Sequence, residues 1–155
     1  MIYFLHSACI SAQSGVSEEI PLTPALSEQN KLKAVEPKYE GIPNNLLRRM
    51  GRTTRMSIGA AMNCLSKTER LDGIVIGTAN GGMEDCIKFM EQIVKYHETD
   101  LTPGNFVQST PNGIAAQIAL MKQNRGYNIT HAHRGLSFEN AIQDCMLLLN
   151  ENPDH

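Results

Sequence analysis

The spacing of apolar residues changes period several times along the chain, and each change marks an element. Ile2 to Ile10, rich in Ile, Tyr, Phe and Leu, reads as a first strand. Ser11 to Gly41 is polar and carries Pro21, Pro24 and Pro37, which predicts a long connection with one short strand or turn. Ile42-Pro43 leads into a helical region. There Ile58, Ala61, Met62 and Leu65 recur at the spacing of one helix face, with Thr53 or Thr54 as the expected cap. Leu71 to Gly77 is a compact β-branched run that predicts the central buried strand, parallel because a helix follows. Met83, Ile87, Met90 and Val94 form the next helical stripe, and Leu101 to Thr110 reads as irregular. Pro111 suits the first turn of a helix whose apolar face is Ile114, Ile118 and Met121. Gly126 breaks that helix, and Tyr127 to Ala132 predicts a second buried strand. Ser137 is the expected cap of a last helix that buries Phe138, Ala141, Ile142, Cys145 and Leu149, with Pro153 just past its end.

Strands alternating with helices predict an α/β layered fold. A chain of 155 residues fits one domain, 1–155, large enough to fold without a disulfide or a metal. Composition excludes several classes. The net charge of −2 and the lack of a basic tract argue against nucleic acid as a partner. No apolar run approaches the ~20 residues of a membrane span. The start, Met1 to Cys9, lacks a basic n-region and is interrupted by His6, so it is not read as a secretion signal. Cys9, Cys64, Cys86 and Cys145 are scattered, without metal-ligand spacing, which fits free thiols in a reducing cytoplasm and no metal site. Nothing in the sequence calls for a cofactor.

The candidate chemistry is sparse. Gly77 to Gly82 follows a strand and precedes a helix, but its spacing is neither GxGxxG nor GxxxxGK[ST]. Tight packing and turn geometry explain those glycines better than a phosphate cradle. Ser109-Thr110-Pro111-Asn112 reads as a helix start before it reads as a hydroxyl nucleophile. His131 and His133 close the second strand and are expected to face apart, so they do not chelate as a helical i, i+4 pair would. Arg48, Arg49, Arg52 and Arg55 form the densest basic cluster, either a solvated helix start or a contact for an acidic carrier protein or coenzyme phosphate.

Five segments in order resemble the β-ketoacyl-acyl carrier protein synthase family, N-terminal domain, of thiolase-like fold. Ile2-Tyr3-Phe4-Leu5 with Ile10-Ser11 resembles its opening strand and turn. Leu47-Arg48-Arg49-Met50-Gly51-Arg52 is similar to "RRMDR", and Gly73 to Gly82 to "VGVVVGTGxGG". Phe106 to Ala115 is similar to "PxxxPNxxA", and Gly126 to Thr130 to "GPNxT". Where the family has its nucleophile, "ACxSG" or "ACATS", this chain has Ala132-His133-Arg134-Gly135, with an elbow about two residues shorter.

The resemblance implies the N-terminal half of a thiolase-like layered fold, with His133 in the nucleophile's place and inactive. It implies acyl-tunnel positions at Phe106, Ser109, Asn112 and Phe138, and a carrier-protein contact at Arg48, Arg49 and Arg52. The family's second half, which supplies two histidines or a His and an Asn, is absent from this chain. The function so implied is that of a catalytically degenerate synthase-like protein of fatty-acid, polyketide or aryl-polyene biosynthesis. It would be a chain-length-factor-like partner or a fragment. It would pair with a ketosynthase or with itself through the Tyr127–His131 strand and would meet acyl carrier protein. Two alternatives stand beside it: an acyltransferase or hydrolase using His133 and Ser109, and a carrier-protein binding module.

Overall fold

The computed structural model describes residues 2–12, 15–17, 29 and 31–152. Two short strands, β1 (Cys9–Ile10) and β2 (Val16–Ser17), pair antiparallel. Helices α1 (Asn44–Leu47) and α2 (Arg52–Leu65) follow, then strand β3 (Gly73–Thr78). Three helices, α3 (Met83–Tyr96), α4 (Pro103–Gln108) and α5 (Gly113–Lys122), lead to strand β4 (Tyr127–Ala132). A 3₁₀ turn, Arg134–Leu136, opens the last helix, α6 (Ser137–Glu151). β3 and β4 pair in parallel, with Val75 opposite Ile129 and Thr78 opposite Ala132. This is the predicted α/β architecture.

The sheet has two unlike faces because strand side chains alternate. Ile74 points to a core shared with Ile58 of α2 and with Ile114, Ala115 and Ile118 of α5. Ala61, Met62, Leu65, Ile76 and Met121 pack around it half-buried, so the helical faces expected for α2 and α5 are the ones that bury. On the opposite face Gly73 and Gly77 lie against Leu148 and Ala141 of α6. Asn128 donates to the Ala115 carbonyl on the α5 side (3.3 Å), while Tyr127 and His131 reach Asp144 on α6.

Several expectations fail, each for a physical reason. Residues 2–8 are not a strand; extended pairing begins only at Cys9, because β2 offers two residues of partner. Tyr127–Ala132 is not a buried strand but a half-exposed one, paired among the described residues only with β3. The Leu71–Gly77 run is buried fully only at Ile74, since a single helix on each face and a single neighbouring strand leave Val75 and Ile76 half-covered. Gly51, not a threonine, is the N-cap of α2, and Thr54 is buried within the helix. Leu101–Thr110 is not irregular throughout: Pro103 starts α4 with its ring at the first turn, where its missing N–H costs nothing. Pro111 lies in the turn before α5, whose N-cap is Asn112. The stripe Met83, Ile87, Met90 and Val94 points outward, each residue about half exposed or more, and Cys86, Phe89 and Ile93 are the half-buried ones. Phe89 holds α4 through a tilted ring contact with Phe106, centroids 5.5 Å apart. Of the connection Ser11–Gly41, residues 18–28 with Pro21 and Pro24 lie outside the described residues, as does Pro153.

Candidate functional site at the β4–α6 elbow

The elbow after β4 is pinned to the end of β3 by the buried hydroxyl of Ser137. Ser137 Oγ accepts from the His133 N–H (2.9 Å) and donates to the Thr78 carbonyl (2.7 Å), with the Arg134 carbonyl at 3.0 Å as the alternative acceptor. The Arg134 N–H donates to the Ala79 carbonyl (3.1 Å). Ser137 is therefore not the cap of α6. It is the first residue of the helix, and it closes the elbow by reaching backwards, with Leu136 in the cap position. At 3% exposure it is also no nucleophile.

Two backbone features let the elbow sit this close. At Gly77 an added Cβ would collide with the Ser137 carbonyl, so only glycine permits the approach of α6 to β3. Arg134 adopts φ 45°, the left-handed region uncommon for a residue with a Cβ, at a cost of about 1–2 kcal/mol. Gly81, at φ 58°, turns the neighbouring loop against Pro111, and its N–H donates to Thr78 Oγ1 (3.1 Å). Packing and turn geometry, as expected, account for the glycines of this loop.

His133 stands at the elbow, exposed, as the residue before the 3₁₀ turn. It has left the strand, which ends at Ala132, so no strand alternation relates it to His131. Residues two apart in a strand share a face in any case, which removes the basis for expecting the two histidines to diverge. His131 Nε2 instead lies 3.0 Å from Asp144 Oδ2, and Tyr127 donates its hydroxyl to the same carboxylate (2.9 and 3.1 Å). That hydrogen bond to Asp144 pushes the Tyr127 phenol above its ordinary range. Neither the elbow nor this trio holds a thiol. Cys145 lies further along α6, and burial, followed by the Asp144 charge, pushes its thiol up, away from nucleophilic character. Among the described residues no group of three or more His, Cys, Asp or Glu could hold a metal ion.

The remaining candidate positions do not converge. Ser109 Oγ donates to the Phe106 carbonyl at the end of α4 (2.7 Å), and no hydrogen bond joins it to His133. Phe106 is 57% exposed on α4, and Asn112 is exposed ahead of α5. Phe138 was expected inside; it is 71% exposed on the outer face of α6, because the elbow turns Ser137 and Ala141 toward β3 instead. The arginine cluster divides. Arg52 donates to the Ala34 carbonyl (2.7 Å) and Arg55 to Glu36 (2.8 Å) and the Met50 carbonyl (2.9 Å). These bonds clamp the incoming chain onto α2. Arg55 holds the Glu36 carboxyl below its ordinary range, and burial together with Glu36 pushes the Tyr39 phenol up to about 12. Arg48 and Arg49 are exposed and line a cleft of about 810 Å³ with Asp85, Lys88, Gln108 and Gln117. Burial raises the Asp85 carboxyl there, while Lys88 holds Glu84 low.

The family described as "Beta-ketoacyl synthase, N-terminal domain" matches residues 23–155. The chain belongs to the β-ketoacyl synthase family. Among solved structures it is similar to a chain of "Ketosynthase (ApeO) in Complex with its Chain Length Factor (ApeC) from Xenorhabdus doucetiae". The TM-score is 0.70 at 16% identity, over 83% of this chain and 52% of that one. This β-ketoacyl synthase relative thus spans about half the length of the chain it resembles in fold. Among curated proteins none matches the sequence.

The Thr78 and Ala79 carbonyls, the left-handed Arg134 and the Tyr127–Asp144–His131 trio are what sequence reasoning missed. Only Gly77 signalled the first two, by refusing a side chain just where a strand ends. Nothing in the spacing of Tyr127, His131 and Asp144 joins a strand to the second turn of a later helix.

Proposed function

We propose that this chain is a non-condensing ketosynthase-like subunit of a fatty-acid or polyene-type pathway, acting by pairing with an active ketosynthase as a chain-length factor does. One observation carries this reading: the elbow of a β-ketoacyl synthase fold presents His133 and Arg134, with no thiol at hand. Claisen condensation stores the acyl chain as a thioester on a thiolate, and an imidazole adduct is too labile for that task. It also needs donors for the carbanion step, which in this family come from the second half of the fold. The solved relative belongs to a complex of a ketosynthase with its chain length factor.

Pairing has a surface to use. β4 is a strand with one edge open among the described residues, and an open edge is a template for association. The outward stripe of α3 with Phe106 and Val107 adds exposed apolar area of the kind that marks interaction sites. Arg48 and Arg49 are the pair offered to an acidic carrier protein, Arg52 being tied to Ala34 and Glu36. The test is co-expression with the ketosynthase encoded beside it, followed by light scattering and an assay with acyl- and malonyl-loaded carrier protein. The chain alone should form no β-ketoacyl product above a no-protein control and should co-elute with the synthase. Turnover by the chain alone that is lost in His133→Ala would overturn this reading in favour of a non-cysteine acyltransferase.

A further inference from the structure

Arginines gather around the α1–α2 junction, and half of them are already engaged. Among the described residues the side chains of Arg48 and Arg49 make no hydrogen bond or ion pair. Arg48 and Arg55 line an open depression of about 400 Å³ with Leu47 and Tyr39, and Arg48 and Arg49 line the larger cleft beside it. Arg52 and Arg55 meet at a single carboxylate. Glu36 Oε1 accepts from Arg55 Nε (2.8 Å) and from the Tyr39 hydroxyl (3.0 Å), and Glu36 Oε2 lies 3.5 Å from Arg52 Nε. The guanidinium groups therefore form one continuous basic surface, with a carboxylate set between two of them.

That carboxylate is not what holds its own segment in place. The stretch 31–40 is tied down at other points. The Arg52 guanidinium donates to the Ala34 carbonyl (2.7 Å), and the Val35 N–H donates to the Ser11 carbonyl (2.7 Å). Pro37 packs against Gly15, and the Tyr39 ring lies on Gly59, where an added Cβ would come within 2.7 Å of it. With the backbone fixed by these contacts, the Glu36 side chain can swing away without releasing the segment. What it does in place is neutralise two arginines. The side chains of Glu36, Arg52 and Arg55 remain 30%, 43% and 28% exposed. Ion pairs this exposed are weak, so a second carboxylate can take the place of the first at little cost. The forked guanidinium matches any carboxylate that presents both oxygens.

We propose that Arg48, Arg49, Arg52 and Arg55 form one docking surface for a protein segment rich in aspartate and glutamate, and that Glu36 is a built-in competitor which such a segment displaces. Only the identity of the segment, an acidic carrier protein, rests on the functional reading above; the open and occupied halves of the surface stand without it. Glu36 makes the surface selective. A lone anion meets two unpartnered arginines, whereas a segment with several carboxylates recruits all four. The probe is a synthetic helical peptide carrying glutamate at i, i+4 spacing, compared with the same peptide carrying glutamine. Fluorescence anisotropy with the full chain at low and high ionic strength reads the affinity.

The glutamate peptide should bind Glu36→Gln about three- to tenfold more tightly than the unaltered chain, with a steeper fall in salt. Glu40→Gln makes the same change in net charge at an exposed position outside this surface and should leave the affinity within about twofold. Arg55→Gln added to Glu36→Gln should cancel the gain. Tyr39→Phe, which only loosens the carboxylate, should give a smaller gain in the same direction, and it serves if circular dichroism shows that Glu36→Gln does not fold. Equal binding by Glu36→Gln and the unaltered chain, an equal gain in Glu40→Gln, or equal binding of the glutamine peptide would each overturn the proposal. Acyl carrier protein then replaces the peptide. A gain with the peptide but no binding of the carrier protein would retire the functional reading and leave the surface. Carrier protein bound equally with and without Glu36, and no gain with the peptide, would do the reverse.

Discussion

The two faces of the β3–β4 sheet are built from similar materials to opposite ends. On one, Ile74 meets Ile58, Ile114, Ala115 and Ile118 in a closed core two helices deep. On the other, Gly73, Gly77 and Ala141 bring α6 close to β3, Leu148 packs between them, and Phe138, Met146 and Leu147 of the same helix face out. Bulk therefore sits inside on the first face and is divided between inside and outside on the second. Buried bulk stabilises the chain itself, whereas displayed bulk is available to something else.

The largest expected effect tests that division directly. Ile58 is fully buried, and Ile58→Ala should cost about 2–5 kcal/mol in denaturant unfolding. Phe138→Gln, a larger change in polarity on an exposed site, should stay within about 0.5 kcal/mol. If the two costs are similar, the faces are not different and α6 is covered. A middle-sized effect belongs to the close approach. Gly77→Ala places a methyl group against the Ser137 carbonyl and should destabilise by about 1–3 kcal/mol, with loss of amide protection at Arg134 as the local sign. An unchanged hydrogen-exchange pattern would mean that the elbow is not held by β3.

The smallest effect sharpens the account of the closed side. Glu36 ties Arg55 and Arg52 to the incoming chain, and Arg55 holds its carboxyl low. A carboxyl with a depressed folded-state pKa contributes stability above its unfolded pKa, and that contribution is lost as pH falls through the folded value. Glu36→Gln should thus cost about 0.5–1 kcal/mol at neutral pH, the pair being partly exposed. The difference from the unaltered chain should vanish as pH drops below the ordinary glutamate range. A gap that persists in acid would assign the loss to packing rather than charge.

How much of this was legible in the sequence follows from which interactions are local. The helical period of Ile58, Ala61, Met62 and Leu65 and the β-branched run around Ile74 are set within a turn or two, and both elements form as read. Order and type of the main elements suffice for the α/β assignment and for the family match. The choice of face on α3 was not legible, because that helix carries apolar residues on two sides; on α6 it was legible at Ala141, Ile142, Cys145 and Leu149 and failed at Phe138. Whether Phe138 or Ala141 turns inward depends on Gly77, far away in sequence. The elbow shows the same limit. His133 could be singled out from its place in the motif, but Ser137 bridging to Thr78 is a contact between segments that no periodicity connects. Proline gave mixed guidance for a similar reason: Pro103 and Pro111 are equally fit to start a helix, and only the first does.

Parallel pairing of β3 with β4 also sets an order of events during folding. Parallel strands cannot be joined by a tight turn, and here the crossover runs from Ala79 to Gly126 through three helices. β3 cannot find its partner until that whole connection has been made, so its most apolar stretch, Ile74 to Ile76, waits for a distant strand. Pairings of this separation form slowly and leave a nascent chain vulnerable to wrong associations. α2 is complete before β3 is synthesised, and its Ile58 belongs to the same core as Ile74. A core assembled across such separations should show a destabilised α2 first as low yield.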